Sequence, residues 1–286
     1  MIAFSTLMAE KGGGYRQLLP LRLAGFENLE LTWGAGVDID DRESFLKAAK
    51  ELKKAGIKTV SAHAPLHTSP GRDVDISSPD NWERKFAVRE TEKSILALSL
   101  MTGSGGTTVI HIGRAVENAN RKKHLTASVE SLKEICEFAS EFNTEICLEN
   151  TLPGHLGCFL DELLEVREKS GFPGLKFCLD TGHYHLAPPQ SDLLSGMAAE
   201  LRELHIHDND GDKDSHLVPG RGTINWEDLF TSIAISHEMS HPPRRSQPLA
   251  PRRMAPRHML NVFEIMRGGA EEIRECLNFA ADYGIK

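Results

Sequence analysis

The stretch LHIHDNDGDKDSHLVPGRG, Leu204 to Gly222, holds three histidines and four aspartates. One apolar residue separates His205 from His207, which puts both on one face of a β-strand. The chain then turns acidic and glycine-containing. Asp, Asn and Gly are ordinary turn residues, so a solvated loop would account for the second half. Imidazoles and carboxylates at this density are also the donors that hold a divalent cation. Donors of the same kind recur in other short runs: His63 in KTVSAHAP, His111 in TTVIHIG, Glu149 in TEICLENT, Asp180 and His183 in LKFCLDTGHYHLA, and Glu264 in LNVFEI. Asp214 and His216 lie inside the opening stretch itself. Gathered together, such groups could polarise a substrate oxygen through a metal and move a proton through a carboxylate.

Each of those runs is short, apolar and rich in β-branched residues, and a segment of helical character follows it. The first strand run is Ile2–Thr6, followed by a helix-like stretch at Tyr15–Ala24. Asn28–Trp33 precedes ESFLKAAKELKKAG, and KTVSAHAP precedes a long helix that opens near SSPDNWE, with its proline expected at an early helical position. TTVIHIG precedes Asn120–Phe142, and TEICLENT precedes LDELLEVREKSG, which ends in the expected glycine. LKFCLDTGHYHLA precedes Asp192–Glu203, ELHIHDN precedes NWEDLFTSIAISHEM, and LNVFEI precedes AEEIRECLNFAADYG.

Eight strand–helix units in 286 residues predict an α/β protein with a parallel sheet closed into a single (β/α)8 TIM barrel spanning residues 1–286. An open doubly wound sheet would be expected to open its first helix with G-x-G-x-x-G, and none is present. The clusters KGGG and GSGG read as turns, the second on the face opposite the strand ends.

Catalytic groups of such barrels gather at the C-terminal ends of the strands. A single strand histidine is ordinarily a hydrogen-bonded core residue. Here six consecutive strands, the third to the eighth, each end in His, Asp or Glu. Burying those groups beside one another is costly unless a cation compensates them. In the seventh strand His205 should point inward, Ile206 toward the helices, and His207 inward nearer the rim.

A net charge of −8 disfavours a general nucleic-acid surface. The five cysteines are odd in number and show no C-x-x-C pair, which fits buried thiols in a reducing compartment. No apolar run reaches the ~18 residues of a membrane span. The start MIAFSTLMAEKGGG lacks a basic leader, so a cytoplasmic location is expected. Ser236–Leu260, rich in Pro and Arg, breaks the pattern and is expected as an insertion at about 236–259, on the bottom face of the barrel. Oligomeric state leaves no mark on the sequence, and a homo-oligomer stays open.

AHAP, VIHIG, CLENT, CLDTGHYHLA, LHIHDNDGDKDSHLVPGRGTINW and VFEI together resemble the successive signatures of the xylose-isomerase-like barrel superfamily, from the third strand to the eighth. That group includes sugar and sugar phosphate isomerases and epimerases, inosose-type dehydratases, and endonuclease IV. The resemblance to its epimerases implies one divalent metal (Zn, Mn, Co or Mg) on Glu149, Asp180, His205 and Glu264. It implies Glu149 and Glu264 as base and acid beside a substrate carbonyl, and His183 on a substrate oxygen. The implied substrate is a small sugar or sugar phosphate. The resemblance to endonuclease IV implies a different use of the same barrel. There His63, His111, His183, Asp214 and His216 join the first four to hold three zinc ions that cleave DNA at abasic sites. Where ketose epimerases carry an arginine shortly before PG, this chain has His216, and Trp226 after PGRGTIN is expected to pack.

Overall fold

Short strands that each need two neighbours, joined by helices that can cover only one face, are satisfied by closure. The computed structural model of the chain shows that closure. Strands β1 (Ile2–Ser5), β2 (Asn28–Thr32), β3 (Lys58–His63), β4 (Thr107–Ile110), β5 (Glu145–Glu149), β6 (Lys176–Asp180), β7 (Leu201–Ile206) and β8 (Leu260–Phe263) pair in parallel in chain order, and β8 closes on β1. The structure describes residues 1–9, 15–33, 40–68, 71–103, 105–189, 192–240 and 259–285.

Around the barrel run α1 (Arg42–Lys54), α2 (Asn81–Thr102), α3 (Arg121–Glu141), α4 (Leu160–Ser170), α5 (Thr181–Leu186), α6 (Leu193–Met197), α7 (Trp226–Ser240) and α8 (Ala270–Asp282). Local chemistry sets their ends. The Asp41 carboxylate accepts from the Ser44 N–H at 3.1 Å and starts α1, whose Phe45, Ala48 and Leu52 turn inward at helical spacing. Gly171, with φ 76°, ends α4 in the left-handed conformation glycine adopts without strain.

The architecture is the one expected, with local corrections. Tyr15–Ala24 forms two short 3-10 helices, Tyr15–Gln17 and Leu19–Ala24, in place of one α-helix. Pro79 lies outside α2, because Asp80 is the capping residue and accepts from the N–H groups of Trp82 and Glu83. The helix expected at Asp192–Glu203 ends earlier: Ala198–Glu200 tighten into a 3-10 turn, and β7 already begins at Leu201. At the expected insertion, α7 continues to Ser240, and Met259 is buried just before β8. Residues 241–258 lie outside the described residues.

Strand alternation separates two kinds of interior. Outward residues such as Leu148, Leu179, Ile206 and Phe263 join the large apolar layer between sheet and helices. Inside the barrel the apolar packing is sparse, with Val109, Cys147 and Cys178 in one cluster and Ala3, Leu260 and Val262 in another. Buried polar residues take the remaining inward positions, and they become denser toward the C-terminal mouth. No described helix is long and apolar enough to cross a membrane.

Candidate metal centre

Glu149 and Asp180 are the last residues of β5 and β6, His205 is penultimate in β7, and Glu264 follows β8 directly. All four are buried. Their donor atoms form a closed ring. His205 Nδ1 lies 3.3 Å from Glu149 Oε1 and 3.4 Å from Glu264 Oε2. Asp180 comes within 4.8 Å of Glu149 on one side and of Glu264 on the other. Donors around a tetrahedral ion bound at about 2.0–2.2 Å are spaced by about 3.4 Å, and the two separations at His205 match that spacing.

Backbone and amide contacts fix the ring. The Asn150 amide donates to the Asp180 carbonyl at 3.0 Å and accepts from the Asp180 N–H at 2.7 Å, tying the end of β5 to that of β6. The Thr181 hydroxyl donates to the His207 carbonyl at 2.9 Å, tying β6 to β7. Position 182 must be glycine, because any Cβ there would collide with the His207 ring. The acidic loop is pinned from below. The Asp208 carboxylate, fully buried, accepts from the N–H groups of Asn209, Gly220 and Ile224 and from the Trp226 indole at 3.0 Å. Trp226 thus packs, as expected, and its indole N–H also finds a partner that the sequence did not point to.

The remaining expected residues converge on the same place. His63 and His111 both reach Glu149 Oε2 at 3.0 Å. His183 Nε2 lies 3.4 Å from Asp214 Oδ2, and His216 Nε2 lies 3.1 Å from the same oxygen. Three of these rings share a telling arrangement. The Nδ1–H of His63 donates to the Ala64 carbonyl at 2.7 Å, that of His183 to the Asn150 carbonyl at 2.9 Å, and that of His216 to the Glu264 carbonyl at 2.7 Å. Each ring therefore turns Nε2 toward a carboxylate. A neutral imidazole would aim a lone pair at that carboxylate, so either a second proton or a cation must lie between them. Asp214 Oδ1 is buried without a hydrogen-bond partner, as an acceptor awaiting a cation would be.

The electrostatics agree. Burial works against the charged form of each ring, and the carboxylates outweigh it. Glu149 raises His63 to about 9, Asp180 and Asp214 raise His183 to about 10, and Asp214 raises His216 to about 9. Burial lowers His111. Glu149 is held well below the usual carboxylate range because His111 and His205 outweigh its burial, whereas burial, reinforced by Glu30 and Glu149, raises Glu264. Two carboxylates on either side of one histidine are thus pushed apart, as a base and an acid require.

Two residues without an assigned role belong here. His207, expected to face inward, bonds both Asp180 oxygens through Nε2 at 3.0 and 3.1 Å and stacks on His216 at 3.9 Å. Glu30, in the middle of β2, lies 3.3 Å from His205 Nε2. Its sequence signal is a lone carboxylate between Leu29 and Leu31, at an inward position.

Above the ring opens a cavity of about 320 Å³, a volume suited to a small molecule. Glu149, His183, Asp214 and Glu264 line its floor, and Leu7, Trp33, Leu66, Leu152 and Met266 supply apolar wall.

Relatives share this frame. A protein of Sinorhizobium fredii without an assigned function is 27% identical over 256 residues, covering 78% of each chain. The fructoselysine 3-epimerase of Escherichia coli O157:H7 is 30% identical over 197 residues, 65% of this chain and 71% of that one. Among solved structures, a D-tagatose 3-epimerase-like protein superimposes with a TM-score of 0.76 at 19% identity, over 99% of this chain and 96% of that one. An IolI protein with a bound zinc atom superimposes with a TM-score of 0.72 at 15% identity, over 99% and 97%. The sequence profile of the xylose isomerase-like TIM barrel matches residues 20–237, and the chain belongs to that family.

Proposed function

We propose that this protein is a divalent-metal-dependent isomerase or epimerase of a sugar or sugar phosphate, acting by proton abstraction beside a carbonyl. The observation that carries the reading is the placement of Glu149 and Glu264 on either side of His205 Nδ1, at the floor of a small-molecule cavity. The fructoselysine 3-epimerase among the relatives supports the same class of reaction.

Glu149, Asp180, His205 and Glu264 would hold the cation, which when bound supplies polarisation of the substrate's carbonyl and hydroxyl oxygens. One of the two glutamates takes the proton from the carbon next to the carbonyl, and the other returns a proton to the same or the neighbouring carbon. His183, its Nδ1–H spent on Asn150, presents Nε2 to a substrate oxygen, and His216, held between the Glu264 carbonyl and Asp214, fixes the Asp214 carboxylate beside that contact. The apolar wall excludes water from the carbanion during transfer.

The test is solvent exchange. Protein reconstituted with Mn, Co, Zn or Mg is incubated with ketoses and their phosphates in D2O. Deuterium should appear at a carbon beside the carbonyl, with one ion per chain. A second reading, an endonuclease IV-like zinc phosphodiesterase acting on abasic DNA, is favoured by one observation. His63 and His111 share a Glu149 oxygen, and His207, Asp214 and His216 form a further donor group. Replacing Asp214 and His216 together by alanine separates the two. Loss of about one ion per chain, with incision of an abasic oligonucleotide by the parent protein, supports the phosphodiesterase. Unchanged metal content with weakened sugar turnover supports the isomerase.

A further inference from the structure

Two carboxylates lie deeper in the barrel than the donor ring and have no part in the chemistry above. Glu30 on β2 and Glu203 on β7 are both fully buried. Each sits beside an irregularity in strand pairing. Between β2 and β3 the register moves from Leu29↔Thr59 to Glu30↔Ser61, and between β6 and β7 it moves from Phe177↔Leu201 to Cys178↔Glu203. Such bulges re-aim side chains and gather near active sites.

The two carboxylates differ in what they reach. Glu30 Oε2 accepts from the Ser61 hydroxyl at 3.2 Å and lies 3.3 Å from His205 Nε2, while its Oε1 has no partner. Glu203 comes no nearer to that nitrogen than 3.8 Å, beyond hydrogen-bond reach, and neither of its oxygens has a partner. The opposite nitrogen of the same ring, Nδ1, is the one that faces Glu149 and Glu264. An imidazole that ligates through one nitrogen keeps its hydrogen on the other, and a carboxylate on that hydrogen fixes the ring's angle and strengthens its lone pair.

We infer that Glu30 is the positioning residue of the metal centre: it holds His205 by its Nε2–H, so that Nδ1 faces the space between Glu149 and Glu264. The inference rests on the proposed metal-dependent reading for its consequence, but the contact itself does not need a metal. Ser61 aligns the carboxylate, and the extra residue of β3, Val60, brings Ser61 opposite Glu30. Glu203 adds negative charge to the same floor without holding the ring.

The experiment compares wild type, Glu30→Gln and Glu203→Gln by two measurements. Co²⁺ affinity is read by competition with a chromogenic chelator. The Nε2–H resonance of His205 is read by NMR of metal-free, ¹⁵N-histidine-labelled protein, and is identified by its loss in His205→Gln. Glu30→Gln should weaken Co²⁺ binding by about 10–100-fold and shift the His205 resonance, with Glu203→Gln close to wild type in both. A Glu30→Gln protein that melts earlier but keeps both readings has lost a structural residue only, and the inference is overturned. Equal effects from the two glutamates overturn it as well, since that is general charge and not a held ring. If wild type takes up no Co²⁺, the metal-dependent reading fails, and an unmoved His205 resonance in Glu30→Gln then separately removes Glu30 from its role. Should Glu30→Gln fail to fold, Glu30→Asp carries the same test, because it keeps the charge but withdraws it from Nε2.

Discussion

The two mouths of the barrel make an instructive pair. The N-terminal mouth has the larger cavity, about 650 Å³ against about 320 Å³ at the C-terminal one. Its charges are matched and wet. Arg202 and Glu145 pair at 2.7 Å with side chains 40% and 43% exposed, and Lys176 pairs with Glu200 nearby. At the C-terminal mouth Glu149, Asp180 and His205 are at most 1% exposed, and Asp214 keeps a buried oxygen without a partner. Volume therefore does not mark the candidate site. Charge that has been taken out of water and left short of counter-ions does.

If that contrast is right, the largest loss comes from one atom at the C-terminal mouth. Glu264→Gln keeps an oxygen that can ligate but can neither take nor return the substrate's proton. Turnover should fall by about 10²–10⁴-fold, the usual contribution of a general acid or base, while part of the metal stays bound. Steady-state rates and metal content of the same preparation check it. Near-normal turnover in Glu264→Gln would reassign that residue to structure.

How much of this mouth could be read beforehand depended on strand ends. Glu149, Asp180, His205 and Glu264 stand at or beside strand ends, where position marks them as donors, and their grouping on one metal came from the resemblance to the epimerases. His63 and His111 also stand at strand ends, whereas His183 lies in α5 and Asp214 and His216 in the loop after β7, and these joined the set through the resemblance to endonuclease IV. Glu30 escaped notice because it lies mid-strand, and Ser61 is brought opposite it by a register shift in β3 that no local pattern announces. His207 was placed inward but given no partner, since its bond to Asp180 is a contact between strands. The break within Tyr15–Ala24 had a local sign that was passed over, Pro20, which cannot donate to a helix running on from Tyr15, and the helix before β7 ends early because β7 already begins at Leu201.

A smaller effect tests the charge balance of the metal-free centre. His63, His183 and His216 titrate at about 9, about 10 and about 9 in the fold, against about 6.5 in an unfolded chain. Folded values above unfolded ones mean the native state binds more protons between them. The stabilisation is full below pH about 6.5 and is lost as pH rises through about 9–10. In the presence of a chelator the melting temperature should therefore drop steadily across that window. Metal-loaded protein should be flatter there, because a cation takes over from the ring protons and binds better as they leave. A chelated protein whose melting temperature rises from pH 7 to 10 contradicts the imidazolium–carboxylate picture of the centre.

The smallest effect belongs to the opposite mouth, and its smallness is the point. Arg202→Ala removes the guanidinium that donates from Nε to Glu145 at 2.7 Å. Both side chains are more than a third exposed, so water and salt screen the pair. Exposed ion pairs of this kind contribute about 0.2–1 kcal/mol, which corresponds to a small shift in a denaturant midpoint. Arg202 lies on the far side of the Cys147 and Cys178 layer from the donor ring, so metal affinity and turnover should stay at wild-type values. The measurement is a urea titration paired with the chelator competition. A loss of metal affinity in Arg202→Ala beyond that of Glu203→Gln would mean that the charges of the two mouths are coupled through the barrel. The contrast drawn between them would then have to be given up, even though Arg202 is the neighbour of Glu203 in β7 and occupies the bulge that separates the two pairing registers.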